Sequence, residues 1–196
     1  PQTTLVPNGV DFAGFQQPAP PHPLCAGDGP LVGYVGNIDH RFDAGLLRQA
    51  ALARPDVRWL IVGKVFDSAE GIEALAALPN VDMPGPIPAD EVPALIRGLS
   101  VGLIPFHRSR FTAGIYPLKV HEYLACGRHV VATDFAPIPD ADPVIARTGS
   151  VSAFIAAVDA ALAAGETGED ARVAVAEAAS WPRRAERFAE VLLGAA

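Results

Sequence analysis

One stretch decides the fold: residues 31–63 read LVGYVGNIDHRFDAGLLRQAALARPDVRWLIVG. Two short apolar runs, Leu31–Gly36 and Val57–Gly63, each end in glycine and are typical of buried strands. Between them, Phe42–Arg54 places apolar residues at helical spacing, with Asp43 near its start. A strand, a helix and a second strand in this order predict a parallel βαβ unit.

The same alternation continues along the rest of the chain. Further strands are predicted at Asn80–Met83, Ser100–Phe106, Arg128–Thr133 and Pro143–Ala146. Further helices are predicted at Ser68–Leu78 with Ser68 as N-cap, Asp90–Leu99, Leu118–Cys126 closed by Gly127, Val151–Ala164, Asp170–Ala179 and Pro182–Leu193. The fold class is therefore α/β: a doubly wound, Rossmann-like parallel sheet of about six strands with helices on both faces. Ligands of such sheets bind at the carboxyl ends of the strands.

Composition narrows the possible functions. The chain has 196 residues, half of them apolar, and a formal net charge of −7. This length suits one domain, and the acidic balance argues against a nucleic-acid binder. No apolar run approaches the roughly 20 residues that span a bilayer, and no signal peptide is recognised. We expect a cytoplasmic location, free thiols at Cys25 and Cys126, and, because the chain opens without methionine, an excised segment.

The loops after the first two strands disfavour two common classes of α/β protein. The dinucleotide-binding fingerprint G-x-G-x-x-G is absent, since Gly33 and Gly36 match only part of it. The second strand ends in Gly63-Lys64, without an acidic residue to accept a ribose hydroxyl group. A nicotinamide or flavin dehydrogenase is therefore disfavoured. A response-regulator receiver is also disfavoured, because this sequence has no acidic residue at the strand ends where a receiver requires one.

The loop after the fourth predicted strand carries the strongest chemical signal. It spans residues 106–117 and enters a helix at Pro117, where a missing amide N–H group costs little. Lys119 follows in the first helical turn, although the helix dipole disfavours a cation there. Exposed amides, the dipole and Lys119 together predict an anion site suited to a phosphate or diphosphate. Arg108 and Arg110 either add charge to this site or face solvent.

Glu122 lies one turn further along the same helix. Its carboxylate could accept two hydrogen bonds from a ribose diol. One alternative is an ordinary ion pair between Lys119 and Glu122, which are three residues apart. Another is that Glu122 belongs to a solvated helix face, and His121 is expected to pack or to face solvent.

The segment Gly114–Thr133, GIYPLKVHEYLACGRHVVAT, resembles the donor-site signature of GT-B glycosyltransferases, in the large retaining family that uses nucleotide-sugar donors. Leu5–Asp11, LVPNGVD, is similar to the hinge that leads into the C-terminal domain of those enzymes. Residues 80–106 resemble the third and fourth strands of that domain with the turn and helix between them. Ser180-Trp181 resembles the start of its C-terminal tail, so the resemblance covers nearly the whole chain.

The resemblance implies roles for individual residues. The glutamate that matches Glu122 holds the nucleotide ribose, amides of residues 114–118 hold the diphosphate, and residues 85–87 lie near the base. Gly36 and Asn37 fall where the first loop approaches the phosphates. The implied donor-binding residues are Gly36, Asn37, Arg41, Gly85, Ile87, Arg108, Gly114, Ile115, Tyr116, Pro117, Leu118, Lys119 and Glu122.

Charge on the leaving diphosphate would be stabilised by side chains and amides rather than by a metal. Lys119 is the first candidate for this role, with Arg41 or Arg108 assisting. The letters Asp140-Ala-Asp142 match a metal-binding motif, but they lie in a proline-rich loop, and no metal or other cofactor is expected. Other catalytic residues are expected on a domain that is absent from this chain.

Three positions depart from the family pattern. Many members carry two glutamates separated by seven residues, and Gly114 stands at the first of these positions. Asn37 replaces an arginine that often follows the first strand, and Phe42 stands where a lysine would be, with Arg41 beside it. A carboxylate for the sugar hydroxyl groups is therefore missing, and Lys119 is the natural compensation for the missing positive charge.

The implied organisation has three parts: a lead-in at residues 1–30 with an extended, proline-rich stretch at 16–23, a nucleotide-sugar-binding domain at 31–180, and a helix at 181–196 that reaches the absent N-terminal domain. The chain would be the donor-binding half of a retaining glycosyltransferase of polysaccharide biosynthesis, inactive by itself. It would use a UDP- or GDP-sugar, and the absent domain would bring it to the inner membrane surface. The alternatives are a non-catalytic nucleotide-binding module, half of an epimerase-like nucleotide-sugar enzyme, or a structural domain that has lost its ligand.

Overall fold

Six parallel strands form one sheet with the order β3-β2-β1-β4-β5-β6. The structure is a computed structural model that describes residues 3–67 and 69–194. The strands are β1 (Leu31–Val35), β2 (Arg58–Val62), β3 (Val81–Gly85), β4 (Val101–Ile104), β5 (His129–Thr133) and β6 (Ala146–Thr148). The helices are α1 (Phe12–Gln16), α2 (Ala44–Ala53), α3 (Ile72–Ala76), α4 (Val92–Arg97), α5 (Leu118–Ala125), α6 (Val151–Ala164), α7 (Glu169–Ala178) and α8 (Trp181–Leu193). The predicted α/β class and doubly wound sheet are confirmed, and the strand order reverses between β1 and β4, where such sheets bind ligands.

The β1–α2–β2 unit forms as its sequence predicts. Every residue of β1 is buried, and β2 is buried from Trp59 to Val62, because helices cover both faces of the sheet. The Asp43 carboxylate caps α2 by accepting a hydrogen bond from the Leu46 amide at 2.8 Å.

Helices lie on both sides of the sheet. α2, α3 and α6 pack together on one face, and α1, α4, α5 and α7 pack on the other. α5 crosses β4 and β5, and its Tyr123 is among the largest fully buried side chains. Among the described residues, no single helix is long and apolar enough to cross a membrane; α6 and α7, bent by 110°, reach that length and composition only as a pair.

Two predicted elements are displaced. The helix predicted at 68–78 is confined to α3 and begins after Gly71, and the predicted cap Ser68 lies outside the described residues. The last strand begins at Ala146, because Pro143 lies in a 3-10 turn at Asp142–Val144. Proline has no amide N–H group to donate to a neighbouring strand, and its fixed φ angle suits the first positions of a helical turn.

The lead-in is not wholly extended. It contains α1 and a 3-10 turn at Pro23–Cys25, with non-helical residues between them. α1 packs on α5, where the Gln16 side chain donates to the Ala125 carbonyl oxygen. Val10 bridges to the start of α8, since the Trp181 amide donates to the Val10 carbonyl oxygen at 3.1 Å.

Candidate functional site

Three neighbouring strands end in glycines with left-handed backbone angles. Gly36 after β1 has φ +148°, Gly63 after β2 has φ +151°, and Gly85 at the end of β3 has φ +90°. The Gly36 amide donates to Val62 at 2.8 Å, and the Gly63 amide donates to Gly85 at 3.0 Å. A Cβ atom on Gly63 would lie 1.8 Å from the Gly36 carbonyl oxygen, so no side chain fits there. The carboxyl edge of the sheet is therefore bare backbone at β1 to β3.

Lys119 occupies the space above Gly36. A Cβ atom on Gly36 would lie 1.8 Å from Lys119 Cε, so the glycine makes room for the lysine chain. The Lys119 ammonium lies 6.0 Å from the centroid of the Tyr34 ring. Tyr123 fixes α5 against the end of β1, because its hydroxyl oxygen accepts a hydrogen bond from the Val35 amide at 2.9 Å. The fold thus brings Lys119 to the end of β1.

Lys119 and Glu122 do not form an ion pair. Neither side chain makes a hydrogen bond or salt bridge within residues 3–67 and 69–194, so the alternative of a simple pair along α5 is wrong. Burial lowers the pKa of Lys119, Glu122 opposes this shift, and Arg41 adds to it. Burial raises the pKa of the Glu122 carboxyl group, and the nearby Lys119 charge opposes the rise. Both side chains have therefore lost part of their contact with water, and the attraction between their charges does not fully offset that loss.

The loop after β1 is braced from inside. The Tyr34 hydroxyl group donates to the Asn37 carbonyl oxygen at 2.7 Å, while Asn37 itself is exposed. Arg41 is engaged by Asp39, with its Nε atom 2.8 Å from Oδ1 and its Nη2 atom 2.5 Å from Oδ2. This pairing holds the pKa of Asp39 below its usual range. The charge of Arg41 is therefore neutralised by Asp39. The charge of Lys119 has no such partner among the described residues.

The loop that leads into α5 has a locked turn. The buried Thr112 hydroxyl group donates to the His107 carbonyl oxygen at 2.6 Å and accepts from the Ser109 amide at 2.9 Å. Pro117 is the extended N-cap residue of α5. A Cβ atom on Gly114 would meet nothing within 4 Å, and the φ angle of Gly114 is not positive. The glycine at this position is thus not required by the backbone.

Not all predicted residues converge on Lys119. Ile115 and Tyr116 line a cavity of about 430 Å³ on the side of Asp140 and Arg184. Leu118 is exposed, Ile87 packs against the core, and a Cβ atom on Gly85 would face open space.

The two loop arginines both lie at the protein surface. Arg108 lines a separate cavity of about 270 Å³ with Asp43, Thr133 and Ser150, at the carboxyl ends of β4 to β6. Arg108 and Arg110 are exposed, and neither forms a salt bridge among the residues that the structure describes.

The Asp140-Ala-Asp142 carboxylates are already engaged. Asp140 accepts hydrogen bonds from Tyr116 and Arg184, and Asp142 pairs with the Arg147 Nε atom at 2.8 Å. No group of three or more metal-ligating side chains occurs in the described part of the chain.

Sequence reasoning missed three residues that build the site: Gly63, Tyr34 and Tyr123. Gly63 was visible as a strand end, but its contact with Gly36 joins two strands that pair only in the folded sheet. The Tyr123 hydroxyl group also acts across the sheet, 88 residues from Val35. The signal for Tyr123 was its place directly after Glu122 in the quoted segment.

Comparisons with known proteins agree with this fold. The family model described as "Glycosyl transferases group 1" matches residues 29–164. TuaH of Bacillus subtilis (strain 168), named as a teichuronic acid biosynthesis glycosyltransferase, is 34% identical over 135 residues, which are 66% of this chain and 34% of TuaH. The chain therefore spans about a third of the length of this curated relative.

Solved structures share the architecture. Sucrose-phosphate synthase from Thermosynechococcus elongatus matches 100% of this chain and 54% of its own, with a TM-score of 0.79 and 22% identity. HepE from Anabaena, solved with UDP and glucose, matches 95% of this chain and 55% of its own, with a TM-score of 0.68 and 18% identity. At these identities the structural likeness shows the fold. The family model covers more than half of the chain, and on that basis this protein belongs to the glycosyl transferases group 1 family.

Proposed function

We propose that this chain is the donor-binding half of a retaining glycosyltransferase, which transfers a sugar from a nucleotide-diphosphate sugar to a glycan, lipid or other acceptor. The observation that carries the proposal is that Lys119 and Glu122, one turn apart on α5, have no side-chain partner among the residues that the structure describes, and that Lys119 lies against Gly36 at the end of β1. A diphosphate would supply the negative charge that Lys119 lacks. A ribose diol would supply the donors that the Glu122 carboxylate can accept.

In this function, the chain's part in catalysis is to stabilise the leaving nucleotide diphosphate. Negative charge grows on the diphosphate as the bond to the sugar breaks. Lys119 and the amides of the first turn of α5 are arranged before the reaction, so they need no reorganisation when that charge develops. Arg41 contributes less, because Asp39 already neutralises it. Arg108 would help to stabilise the diphosphate only if its exposed side chain moved toward Lys119.

The comparisons guide the choice of nucleotide and process. HepE was solved with UDP and glucose, which supports UDP as the first nucleotide to test, with GDP second. The name of TuaH supports a place in polysaccharide biosynthesis. Attachment at the inner membrane surface through the absent domain would follow from an acceptor held there.

The proposed full enzyme includes an N-terminal domain that covers α8. Phe188, Leu192 and Leu193 of α8 are 54%, 69% and 82% exposed, and Leu5 of the lead-in is 83% exposed. Exposed apolar side chains on two adjacent segments are typical of a surface that another domain covers. This supports the division into a lead-in at 1–30, a donor-binding domain at 31–180 and a C-terminal helix at 181–196.

Calorimetric titration with UDP, GDP and ADP tests the binding proposal. We expect saturable binding of one nucleotide by the wild-type chain and its loss in Glu122→Ala. Glu177→Ala is the matched control, because Glu177 is an exposed residue of α7. Equal binding by wild type and Glu122→Ala would contradict the proposed role of Glu122, and no binding to any of the three would contradict the site itself.

A transfer assay tests the proposal that the chain is half of an enzyme. The isolated chain should release no sugar from UDP-glucose or GDP-mannose to any added glycan acceptor. Detectable transfer by the isolated chain would overturn the need for an absent acceptor domain.

A further inference from the structure

A half-buried polar cluster joins the loop before α5 to the C-terminal helix. We name it the Asp140 cluster; its members are Tyr116, His121, Asp140 and Arg184. The Tyr116 hydroxyl group donates to Asp140 Oδ2 at 2.5 Å, and Arg184 Nη2 pairs with the same oxygen. The His121 Nε2 atom lies 3.5 Å from this oxygen, and the His121 ring stacks on Tyr116 with centroids 5.6 Å apart.

The charges in this cluster depend on each other. Burial alone would raise the pKa of Asp140, but hydrogen bonds from His121, Tyr116 and Arg184 outweigh it and hold that pKa well below its usual range. Burial and the Asp140 carboxylate raise the pKa of the Tyr116 hydroxyl group. His121 is only 1% exposed, and Asp140 Oδ1 is inaccessible to solvent without a hydrogen-bond partner among the described residues. One carboxylate therefore holds three groups together.

The cluster connects segments that are distant along the chain. Tyr116 belongs to the loop at residues 112–117, which we call the donor loop, and His121 belongs to α5. Arg184 belongs to α8, 44 residues beyond Asp140, and its Nε atom also donates to the Asn8 carbonyl oxygen at 3.3 Å. Asp140 thus lies where the donor loop, the lead-in and α8 meet.

We propose that Asp140 is a positioning residue, which fixes the donor loop against α5 and ties that loop to α8. Asp140 does not touch the nucleotide; it acts through Tyr116, the residue before the N-cap of α5. Movement of α8 would then reach the amides of the nucleotide site through Arg184 and Asp140. The inference rests on the proposed function, because the nucleotide is the ligand whose binding Asp140 would tune.

Asp142 offers a matched control two residues away. Its side chain is 29% exposed, against 31% for Asp140. It also pairs with an arginine, since its Oδ1 atom lies 2.8 Å from Arg147 Nε. Arg147 belongs to β6 rather than to the donor loop or α8. A role limited to folding predicts similar effects for Asp140→Asn and Asp142→Asn, whereas a positioning role separates them.

The first experiment compares Asp140→Asn, Asp142→Asn and wild type in the full 196-residue chain. Titration with UDP and GDP should show a dissociation constant about tenfold higher for Asp140→Asn, as expected for one charge-assisted hydrogen bond. Hydrogen exchange without nucleotide should be about fivefold faster across the donor loop in Asp140→Asn. Asp142→Asn should change neither quantity. Unchanged affinity and exchange in Asp140→Asn, with a lower melting temperature, would overturn the proposal.

The second experiment removes the hydrogen bond between Tyr116 and Asp140 by changing Tyr116 instead of Asp140. Tyr116→Phe keeps the ring stacked on His121 but removes the hydroxyl group that Asp140 accepts from. It should weaken nucleotide binding as much as Asp140→Asn does, and the double variant should lose no more than either single one. Additive losses would show that the two residues act separately. Because Tyr116→Phe is a mild change, it also decides the matter if Asp140→Asn fails to fold.

Failure of the proposed function gives a different result. If the wild-type chain binds none of UDP, GDP and ADP, the nucleotide site is wrong. The exchange comparison without nucleotide then still decides whether Asp140 fixes the donor loop.

Discussion

A cation lies at each end of α5, and the two differ in how the protein satisfies them: Arg172 is buried and Lys119 is partly buried. Arg172 lies at the C-terminal end and is 4% exposed. Its guanidinium donates to the carbonyl oxygens of Gly127 and Thr167, both at 2.8 Å, and of Glu166. Lys119 lies at the N-terminal end and makes no hydrogen bond or ion pair within the described residues.

The helix dipole separates the two ends further. The C-terminal end of α5 carries partial negative charge, which favours the Arg172 cation. The N-terminal end carries partial positive charge, which disfavours Lys119. Burial lowers the pKa of both side chains, but only Arg172 has its N–H groups taken up by protein oxygens. The contacts of Arg172 thus stabilise the fold at the C-terminal end of α5. At the N-terminal end, Lys119 has no hydrogen-bond or ion-pair partner among the described residues, so an anion could bind it.

The largest expected effect comes from removing Arg172. Arg172→Ala leaves the buried Gly127 carbonyl oxygen and the part-buried Thr167 and Glu166 carbonyl oxygens without their donor, and should cost about 3 kcal/mol in the free energy of unfolding. Urea denaturation measures this loss, and nucleotide affinity should stay unchanged under native conditions. Arg183→Ala is the control, because its pair with Glu186 is exposed and should contribute about 0.5 kcal/mol or less. A loss no larger than that of the control would contradict a stabilising role for Arg172.

Removing Lys119 should give the opposite result. Lys119→Gln should weaken UDP or GDP binding by about 2 kcal/mol, roughly 30-fold, while leaving the free energy of unfolding unchanged or slightly higher. Stability is spared because the fold disfavours the charged lysine. Lys64→Gln is the control, since Lys64 is exposed in the loop after β2 and its removal changes the net charge equally. If both lysine variants bind equally well, Lys119 does not hold the diphosphate.

A smaller effect is expected at Gly36. Gly36→Ala must strain a backbone with φ +148° and displace Lys119, which should cost about 1–3 kcal/mol in stability and weaken nucleotide binding. Gly114→Ala is the comparison, because its Cβ atom would meet open space and its backbone angle is ordinary. Thermal unfolding and calorimetry of the two variants measure the difference. Equal stability and equal nucleotide affinity in the two variants would mean that the position of Lys119 does not depend on the absence of a side chain at residue 36.

The smallest expected effect is a linkage between nucleotide binding and protons. Burial lowers the pKa of Lys119 from 10.5, and a bound diphosphate favours the charged form, so binding raises that pKa again. Affinity should therefore fall as pH rises through the lowered pKa of the free protein, and binding should take up protons in this alkaline range. Titration in two buffers of different ionisation enthalpy measures the uptake. Uptake that persists in Lys119→Gln would belong to another group.

The sequence predicted the parts of the site that depend on neighbours along the chain. The apolar runs at Leu31–Gly36 and Val57–Gly63, the start of α5 after Pro117 and its end at Gly127, with φ +71°, all follow from local pattern. The sequence did not reveal that Tyr116 and His121 turn toward Asp140. It also did not show that Arg108 lines a cavity with Asp43, Thr133 and Ser150, whose lining does not include Lys119.

The sequence by itself determined the α/β class, the order of the elements and the position of the helix that carries Lys119 and Glu122. Hydrophobic periodicity and capping act over a few residues, so they can be read from the chain alone. Only the tertiary structure decided which charges stay unpaired. Arg41 is paired with Asp39, Arg172 donates to carbonyl oxygens, and Lys119 has no partner within residues 3–67 and 69–194, because each outcome depends on which atoms the folded sheet and its helices bring together.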